Sequence, residues 1–505
     1  MQRRKSSVGS TFYTLSTGKE LNLGLDADED DEAVSLGSLF APERKEEDPN
    51  HVYGYWHLLP DLLLETVFTY LTIRERYYAS QVCRSWYDAF NFPRVWYTFT
   101  LYDGLLTKRK FNYYAGWEKL VDSVRVSIFL TKRGGFIRSL IFQPMDNLYN
   151  LYEFLNLSHY MRNNMPGVLD KVHTLRFRFA CQLGQRSEEL VFGTGGQTLR
   201  MLKKIMGMLP DLKTLELRDL LLEGKEGLQL LDEVCVVCCE TLRTLILINI
   251  TKMAHTLLHP GTFVNLTTLV ISPQNIGEDL LELIGTSKLR NMHILQNKYT
   301  ENGRAVNYKH WRKCRANNPR LRVHLSTEGS SKQELYWQQR APVKSIVYDS
   351  PYSRITTTQM LQVVEYYRGD LEMFAYKKLP RFYMPRSFHD RVDSSLLLLA
   401  RQCPYLHTLV VRERISTSTV LLLAHTAKNL HLFHVRRNAV ILRMDWPPHP
   451  DWSPEFYEWL RVNARSYDTV EREVAQILGY RWQLMTDKQF KLIQLDPETP
   501  LYVGS

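Results

Sequence analysis

One short phrase, L-x-x-L-x-L, keeps returning along this chain, and it limits what the chain can fold into. Ile137-Arg-Ser-Leu140-Ile-Phe142 is echoed by Val172-His-Thr-Leu175-Arg-Phe177, Leu212-Lys-Thr-Leu215-Glu-Leu217, Leu242-Arg-Thr-Leu245-Ile-Leu247 and Leu266-Thr-Thr-Leu269-Val-Ile271. It continues from Leu289, Leu321, Val343 and Leu371, then as Leu406-His-Thr-Leu409-Val-Val411 and Leu430-His-Leu-Phe433-His-Val435. The eleven occurrences stand 22 to 40 residues apart. A run of four to six residues with every second side chain apolar is a strand that buries one face. Such a unit covers its leucines only against the next one, so a stack is stable where a single unit is not. Between the phrases, Leu199–Met208, Leu228–Cys239, Thr358–Tyr367, Leu396–Cys403 and Thr419–Lys428 read as helical returns, with Leu209-Pro210, Asn318-Pro319 and Cys403-Pro404 as turns before the next strand. Leu321-Arg-Val-His-Leu325 departs from the frame and reads in simple alternation.

Repeats of this form and period resemble leucine-rich repeats, in which a short strand is followed by a helix or an irregular return. The resemblance implies a curved solenoid whose concave face is lined by the strand positions between the buried ones. Those positions are Thr174, Arg176 and Arg178, then Thr214, Glu216 and Arg218, and later Lys377, Thr408, Arg412, His434 and Arg436. Cations outnumber acids there. Arg176, Arg178, Arg218, Lys377, Arg412 and Arg436 are therefore the candidate substrate-binding residues, because guanidinium forks suit carboxylate or phosphate. Solvated strand residues would give the same pattern. Ile246, Ile248 and Val270 interrupt the polar face with an apolar spot, open to a partner or to a covering loop or tail.

Ahead of the repeats stands LPDLLLETVFTYLTIRERYYASQVCRSWYDAFNFPRVW, residues 59–96. Leu63, Leu64, Val67, Phe68 and Leu71 form an apolar stripe at helical spacing, Val82, Cys83 and Trp86 follow on a further helix, and Trp96 adds another large ring. Some forty residues can hardly bury that much apolar surface alone, which implies a partner. From Leu59-Pro60 through Val82-Cys83-Arg84-Ser85-Trp86 to Trp96 the stretch resembles an F-box. The resemblance implies a helical module that docks on a Skp-type adaptor, itself carried by the cullin scaffold of a ubiquitin ligase. Carried over by position, Leu59, Pro60, Leu63, Val67, Phe68, Val82, Cys83, Trp86 and Trp96 form the adaptor-facing or module-core set. Leu62 stands where the family often has an acid, and Arg76 where it usually has an apolar residue. A charge desolvated there without a partner would weaken or reshape the dock.

The rest of the chain narrows the reading. Its 505 residues exceed one ordinary core. Its apolar runs fall far short of a membrane span, and its beginning has no secretory apolar segment. Seven irregularly spaced cysteines point to a reducing compartment, cytoplasmic or nuclear. Residues 1–50 hold 6 Lys+Arg against 11 Asp+Glu, with six acids between Asp26 and Glu32, and read as a disordered acidic tail. Arg3-Arg4-Lys5-Ser6-Ser7 has the form of a basophilic phosphorylation site. With the whole chain at +10, the body is basic, which suits acidic or phosphorylated partners as well as a solvated surface. Phe99–Gly135 reads as a connection carrying a helix over Trp117–Leu130. Beyond Trp446-Pro447-Pro448-His449-Pro450, Trp452–Leu478 reads as one or two amphipathic helices, either a cap on the last repeat or a tail across the concave face.

Cys235-x-x-Cys238-Cys239 has half the spacing of a zinc site without the other half, so small buried thiols explain it better. There is no phosphate-cradling glycine loop and no G-x-S-x-G, and no catalytic, cofactor or metal site is expected. The expected architecture is α/β: a disordered tail over 1–50, a helical F-box-like module over 52–98, a leucine-rich-repeat solenoid over 99–440 and a helical C-terminal cap and tail over 441–505. The expected function is substrate recognition in an SCF-type ubiquitin ligase, with adaptor, cullin and a protein substrate as partners and neither nucleic acid nor membrane among them. The alternative is a repeat scaffold that assembles no ligase, which Arg76 favours. Nucleic-acid binding by the basic array is a distant third.

Overall fold

The computed structural model describes residues 55–495, apart from 115, 182–192, 302, 304, 332–333 and 355. The acidic tail, its Arg-Ser run and the final loop over 496–505 lie outside the described residues. The described residues form two compact units, one running to Ile137 and taking in Asn147–Lys171, the other holding Arg138–Asp146 and everything from Val172 onward.

In the second unit each recurrence of the phrase becomes one strand. The strands are Ser139–Phe142, Thr174–Arg178, Thr214–Arg218, Thr244–Ile248, Thr268–Ile271, Asn291–Gln296, Arg322–Glu328, Val343–Asp349, Met373–Tyr376, Thr408–Val411 and Leu432–Val435. They line up in chain order, each parallel to the next. The register keeps like positions together: Leu175, Leu215, Leu245 and Leu269 are successive partners, as are Phe177, Leu217, Leu247 and Ile271. All eight side chains are buried, so the apolar positions of each unit are covered by its neighbours and by the returning helices. Those helices are Gly196–Met206, Gly224–Cys238, Glu278–Thr286, Tyr308–Asn317, Thr357–Tyr367, Asp393–Gln402 and Thr417–Thr426. The irregular phrase at Leu321 shows as a register shift between Val323 and His324 where that strand meets Val343–Asp349. The arrangement is a solenoid-like α/β stack.

Where the strands end, a buried polar ladder holds the turns. Asp219 and Asn249 have φ of 57° and 48°, the left-handed region that Asn and Asp tolerate best among side chains other than Gly. Asn249 Nδ2 donates to Asp219 Oδ1 and to Asn297 Oδ1, both at 2.7 Å, and Asn297 Nδ2 donates to Asp219 Oδ1 at 2.9 Å. Ser272 and Thr300 hydroxyls donate to Asn249 Oδ1 at 3.0 and 2.9 Å. Burial raises the Asp219 carboxyl above its ordinary range, against the lowering effect of the two amide donors.

The C-terminal segment packs in two places. Helices Pro454–Asn463 and Tyr467–Leu478 pack against Thr417–Thr426, the last return helix. Tyr467 Oη donates to Val440 O at 2.9 Å. Gly479, at φ 77°, ends the second helix in a left-handed turn. Further on, Phe490, Ile493 and Leu495 pack against Val347, Met373, Ala375 and Val410, on the strand face predicted to be concave.

The first unit opens on a turn at Tyr55–Leu58 and three helices, α1 (Asp61–Tyr70), α2 (Ile73–Ser80) and α3 (Arg84–Phe90), followed by the turn Pro93–Trp96. The helix expected over Trp117–Leu130 is corrected. Gly116–Val121 is a strand paired antiparallel with Thr107–Asn112, and the helix runs over Ser123–Arg133. Asp122, whose carboxylate accepts from Val124 N at 3.1 Å, caps it and marks where the alternating pattern gives way to the helical one.

Candidate functional site

The F-box-like module places its side chains on two faces. The apolar positions of α1 form two stripes rather than one: Leu64 and Phe68 are fully buried, whereas Leu63 and Val67 are 51% and 44% exposed. Tyr70 continues the outer stripe at the i, i+4, i+7 spacing, and Leu62 is exposed beside it. Pro60 is exposed and opens the helix, its carbonyl accepting from Leu63 N and Leu64 N at 2.9 and 3.0 Å. Leu59 is half-buried, and Val82, before α3, is 65% exposed. Cys83 and Trp86 are half-buried, with Trp86 meeting Phe68 edge-to-face at 6.0 Å and donating Nε1–H to Trp56 O at 3.2 Å.

Within the adaptor-facing or module-core set, Phe68 and Trp96 belong to the core. Phe68 and Trp96 have no exposed surface, because Trp96 is enclosed by Phe90 at 5.0 Å and Phe129 at 5.7 Å and donates Nε1–H to Phe90 O at 2.7 Å. Trp56 and Leu58, which precede the Leu-Pro opening, are strongly exposed and were missed by sequence reasoning. They lie outside the helical periodicity that singled out the others.

Arg76 also faces inward. Its guanidinium donates to Phe68 O at 2.9 Å, Leu71 O at 3.0 Å, Val95 O at 2.6 Å and, more weakly, Thr69 O at 3.3 Å. Three of these acceptors are carbonyls at the C-terminal end of α1, of which Phe68 O also accepts from Leu71 N at 3.3 Å, and a cation there is also favoured by the helix dipole. Arg76 and Arg133 lie 5.7 and 5.4 Å from the Trp96 ring centre. Burial lowers the Arg76 pKa, while the carbonyls satisfy the ion that burial penalises. The expected weak point of the dock is therefore an internal staple between α1 and the Pro93–Trp96 turn. Thr72 and Glu75 form a capping box on α2, and those hydrogen bonds lower the Glu75 pKa.

On the strand face of the second unit, the six candidate cations all have partners within the chain. Glu216, almost fully buried, is approached by Arg178 at 2.9 Å, Arg218 at 3.2 Å and Arg176 at 3.7 Å, and Arg218 also pairs with Glu328. Arg176 and Arg178 keep nearly a third of their side-chain surface in solvent. Lys377 pairs with Asp349 at 3.8 Å, and burial shifts both toward neutrality, the lysine down and the carboxyl up. Arg436 holds Asp487 through two hydrogen bonds of 2.7 and 3.0 Å, which keep that carboxyl low. Arg412 is corrected: it is wholly buried, donating to Ser350 O at 2.7 Å, Lys378 O at 2.8 Å and Ser353 O, and cannot meet a substrate.

The expected apolar spot is present as a cluster of Ile246, Ile248, Val270 and Leu295, separate from the one under the C-terminal segment. Beside it, His293 and His324 stack at 4.4 Å. Burial pushes His293 down to about 3 and His324 well below its ordinary value, so both are neutral at pH 7. Cys238 is buried on helix Gly224–Cys238, and burial raises it to about 11. Among the described residues no group of His, Cys, Asp or Glu is placed to hold a metal ion.

The described residues thus form a helical module with one outward apolar stripe and, after it in the chain, a parallel-strand repeat stack. Residues 56–102 match the F-box-like family. No curated protein matches the chain. Among solved structures, a chain of the Rad7–Elc1 complex from yeast is similar at 14% identity and a TM-score of 0.31, covering 66% of this chain and 88% of that one.

Proposed function

We propose that the chain is a substrate-recognition subunit of an SCF-type ubiquitin ligase, working in the cytoplasm or nucleus. The observation that carries this reading is the exposed stripe Leu63, Val67 and Tyr70, with Val82 also exposed, on a module that buries Leu64, Phe68 and Trp96. Isolated exposed leucines are ordinary, but a helical stripe of them on an F-box-like domain asks for a cover. Leu59, Pro60, Leu63, Val67 and Val82, with Trp86 and Cys83 at the edge, would meet the Skp-type adaptor, while Phe68, Trp96 and Arg76 hold the module rigid behind them. The adaptor in turn would join the chain to a cullin. Arg76, which favoured a scaffold without a ligase, no longer does so, since it faces the interior.

The strand face of the repeats, read as leucine-rich, is the proposed substrate surface. Its accessible cations are Arg176 and Arg178, where an acidic or phosphorylated side chain would compete with Glu216 for the guanidiniums. The chain would make no bonds itself; it would raise the concentration of substrate near a catalytic subunit carried by the complex, leading to ubiquitination and proteasomal degradation. Co-purification with a Skp-type adaptor and cullin tests the reading, comparing wild type with Leu63→Ala/Val67→Ala/Val82→Ala. These side chains are outside the core, so the variant should fold and lose the adaptor. Folded wild type that captures no adaptor would overturn it.

A further inference from the structure

The antiparallel ribbon of the first unit, Thr107–Asn112 with Gly116–Val121, has a firm root and an unusual tip. At the root Thr107 and Val121 are buried. Asn150 accepts from Val121 N at 2.8 Å and donates to Lys119 O at 2.9 Å, and Arg125 donates to Thr107 O. Toward the tip the ribbon leaves the core entirely. Phe111, Tyr113, Tyr114 and Trp117 are 57%, 87%, 95% and 72% exposed. Phe111 sits directly opposite Trp117, the rings 5.4 Å apart, and the Tyr113 and Tyr114 rings are 5.6 Å apart at the turn. Four large rings in water on so short a ribbon are not needed to close any core.

Behind the rings comes a collar of charge. Arg109 and Lys119 are directly opposite one another on the face that carries Phe111 and Trp117, and Lys108 and Lys110 project from the other face. Like charges directly opposite in an antiparallel pair are unfavourable. The ribbon's acid, Glu118, is opposite Lys110 and accepts from Asn112 Nδ2 at 3.2 Å, and Lys108 reaches Asp122 at the root at 3.4 Å. Two residues of strand separate the Phe111–Trp117 row from the Arg109–Lys119 row, a distance of about 7 Å. Aromatic rings immersed about 5–10 Å into the boundary between headgroups and acyl chains would put cations at that spacing among the headgroups.

We propose that this ribbon is a peripheral membrane-contact element, its aromatic tip entering the interfacial layer of an anionic lipid surface and its cationic collar engaging the headgroups. The layering distinguishes this from a single-stranded nucleic-acid platform, in which rings line a cationic groove that tracks the backbone. Here cations stand on both faces and the rings gather at the end, so the surface is met end-on. The absence of a membrane among the expected partners rested on the lack of a spanning segment. Among the described residues no helix is long and apolar enough to cross a bilayer, and a peripheral contact requires none. The adaptor face is not involved, so this inference stands or falls separately from the ligase reading.

Co-sedimentation of the full chain with phosphatidylcholine–phosphatidylserine vesicles in a two-to-one ratio, and with phosphatidylcholine alone, tests it. Wild type should bind the anionic vesicles and weaken as salt rises. Phe111→Ser/Trp117→Ser should bind at least tenfold less, with an unchanged thermal transition because those rings support no core. Reversing the collar with Arg109→Glu/Lys119→Glu should remove the preference for phosphatidylserine, since each cation near an anionic leaflet strengthens binding roughly fivefold; if that variant misfolds, the salt titration of wild type carries the same information. No vesicle binding by wild type, equal binding to both vesicle types, or full binding by the ring variant would overturn the proposal. So would a single-stranded oligonucleotide that binds wild type, displaces it from vesicles and loses affinity for the ring variant.

Discussion

Replacing Arg76 by Met probes the module where the structure departs most from expectation. The methionine keeps most of the side-chain volume but leaves four carbonyls, of Phe68, Thr69, Leu71 and Val95, without their guanidinium. The bonds to Phe68 and Val95 are buried, and water cannot readily replace them. A hydrogen bond to a charged group contributes about 1.5–3 kcal/mol, and part of the loss is returned because the ion no longer has to be desolvated, so about 3–4 kcal/mol is expected overall. Hydrogen exchange of the full chain reads this locally: at 1.4 kcal/mol per tenfold, amides of α1 should exchange roughly two to three powers of ten faster. Arg76→Lys should fall between, retaining the charge but not the fork. Protection of α1 unchanged in Arg76→Met would refute the staple and return Arg76 to the surface as a flaw in the dock.

Other consequences are open to measurement. Glu216→Leu removes the carboxylate shared by Arg176, Arg178 and Arg218 and should cost about 3–5 kcal/mol while tightening retention on an anionic resin; unchanged stability and retention would contradict the network. Phe490→Ala should cost about 3 kcal/mol locally and expose Asp487–Leu495 to proteolysis, whereas an equally resistant segment would mean that the strand face is not what holds it. The stacked histidines set an acid limit. Burial holds both folded pKa values below the unfolded 6.5, so the neutral forms support the native state fully above pH 6.5 and lose that support as pH falls below it, for His293 down to about 3. For His293 the loss is about 2 kcal/mol between pH 6.5 and 5. Denaturant unfolding at pH 7 and pH 5 should show it, and a His293→Gln variant with the same pH dependence would argue against it.

The repeat stack was legible because its information is local and repeated. Every phrase puts its apolar residues at fixed spacing, and each of the eleven phrases coincides with one strand. The Leu59–Trp96 helices were legible for the same reason, but the direction of each side chain was not. Leu63 and Leu64 are equally apolar and adjacent, and only packing sends one out and the other in. Arg76 and Arg412 show the opposite limit: a cation reads as surface until backbone carbonyls from distant parts of the chain surround it. Glu216 was read as one acid among many basic positions, whereas register across neighbouring strands makes it the centre of three guanidiniums. Of the ribbon tip, Trp117 was hidden in a stretch read as helix, because Trp117, Leu120 and Val121 fit helical spacing, and Phe111, Tyr113 and Tyr114 lay in the connection ahead of it. Ring exposure decides between helix and strand only in three dimensions.

The central claim is that the outward stripe of the module is an adaptor dock, and calorimetric titration of the full chain with a purified Skp-type adaptor tests it most directly. Wild type should bind with one-to-one stoichiometry. Leu63→Ala and Val67→Ala should each weaken binding about tenfold, the effect of losing one well-packed apolar contact. Tyr87→Ala, exposed on α3 but outside the proposed set, should leave affinity unchanged. Wild type that is folded and gives no heat of binding, or stripe variants that bind as wild type does, would contradict the account.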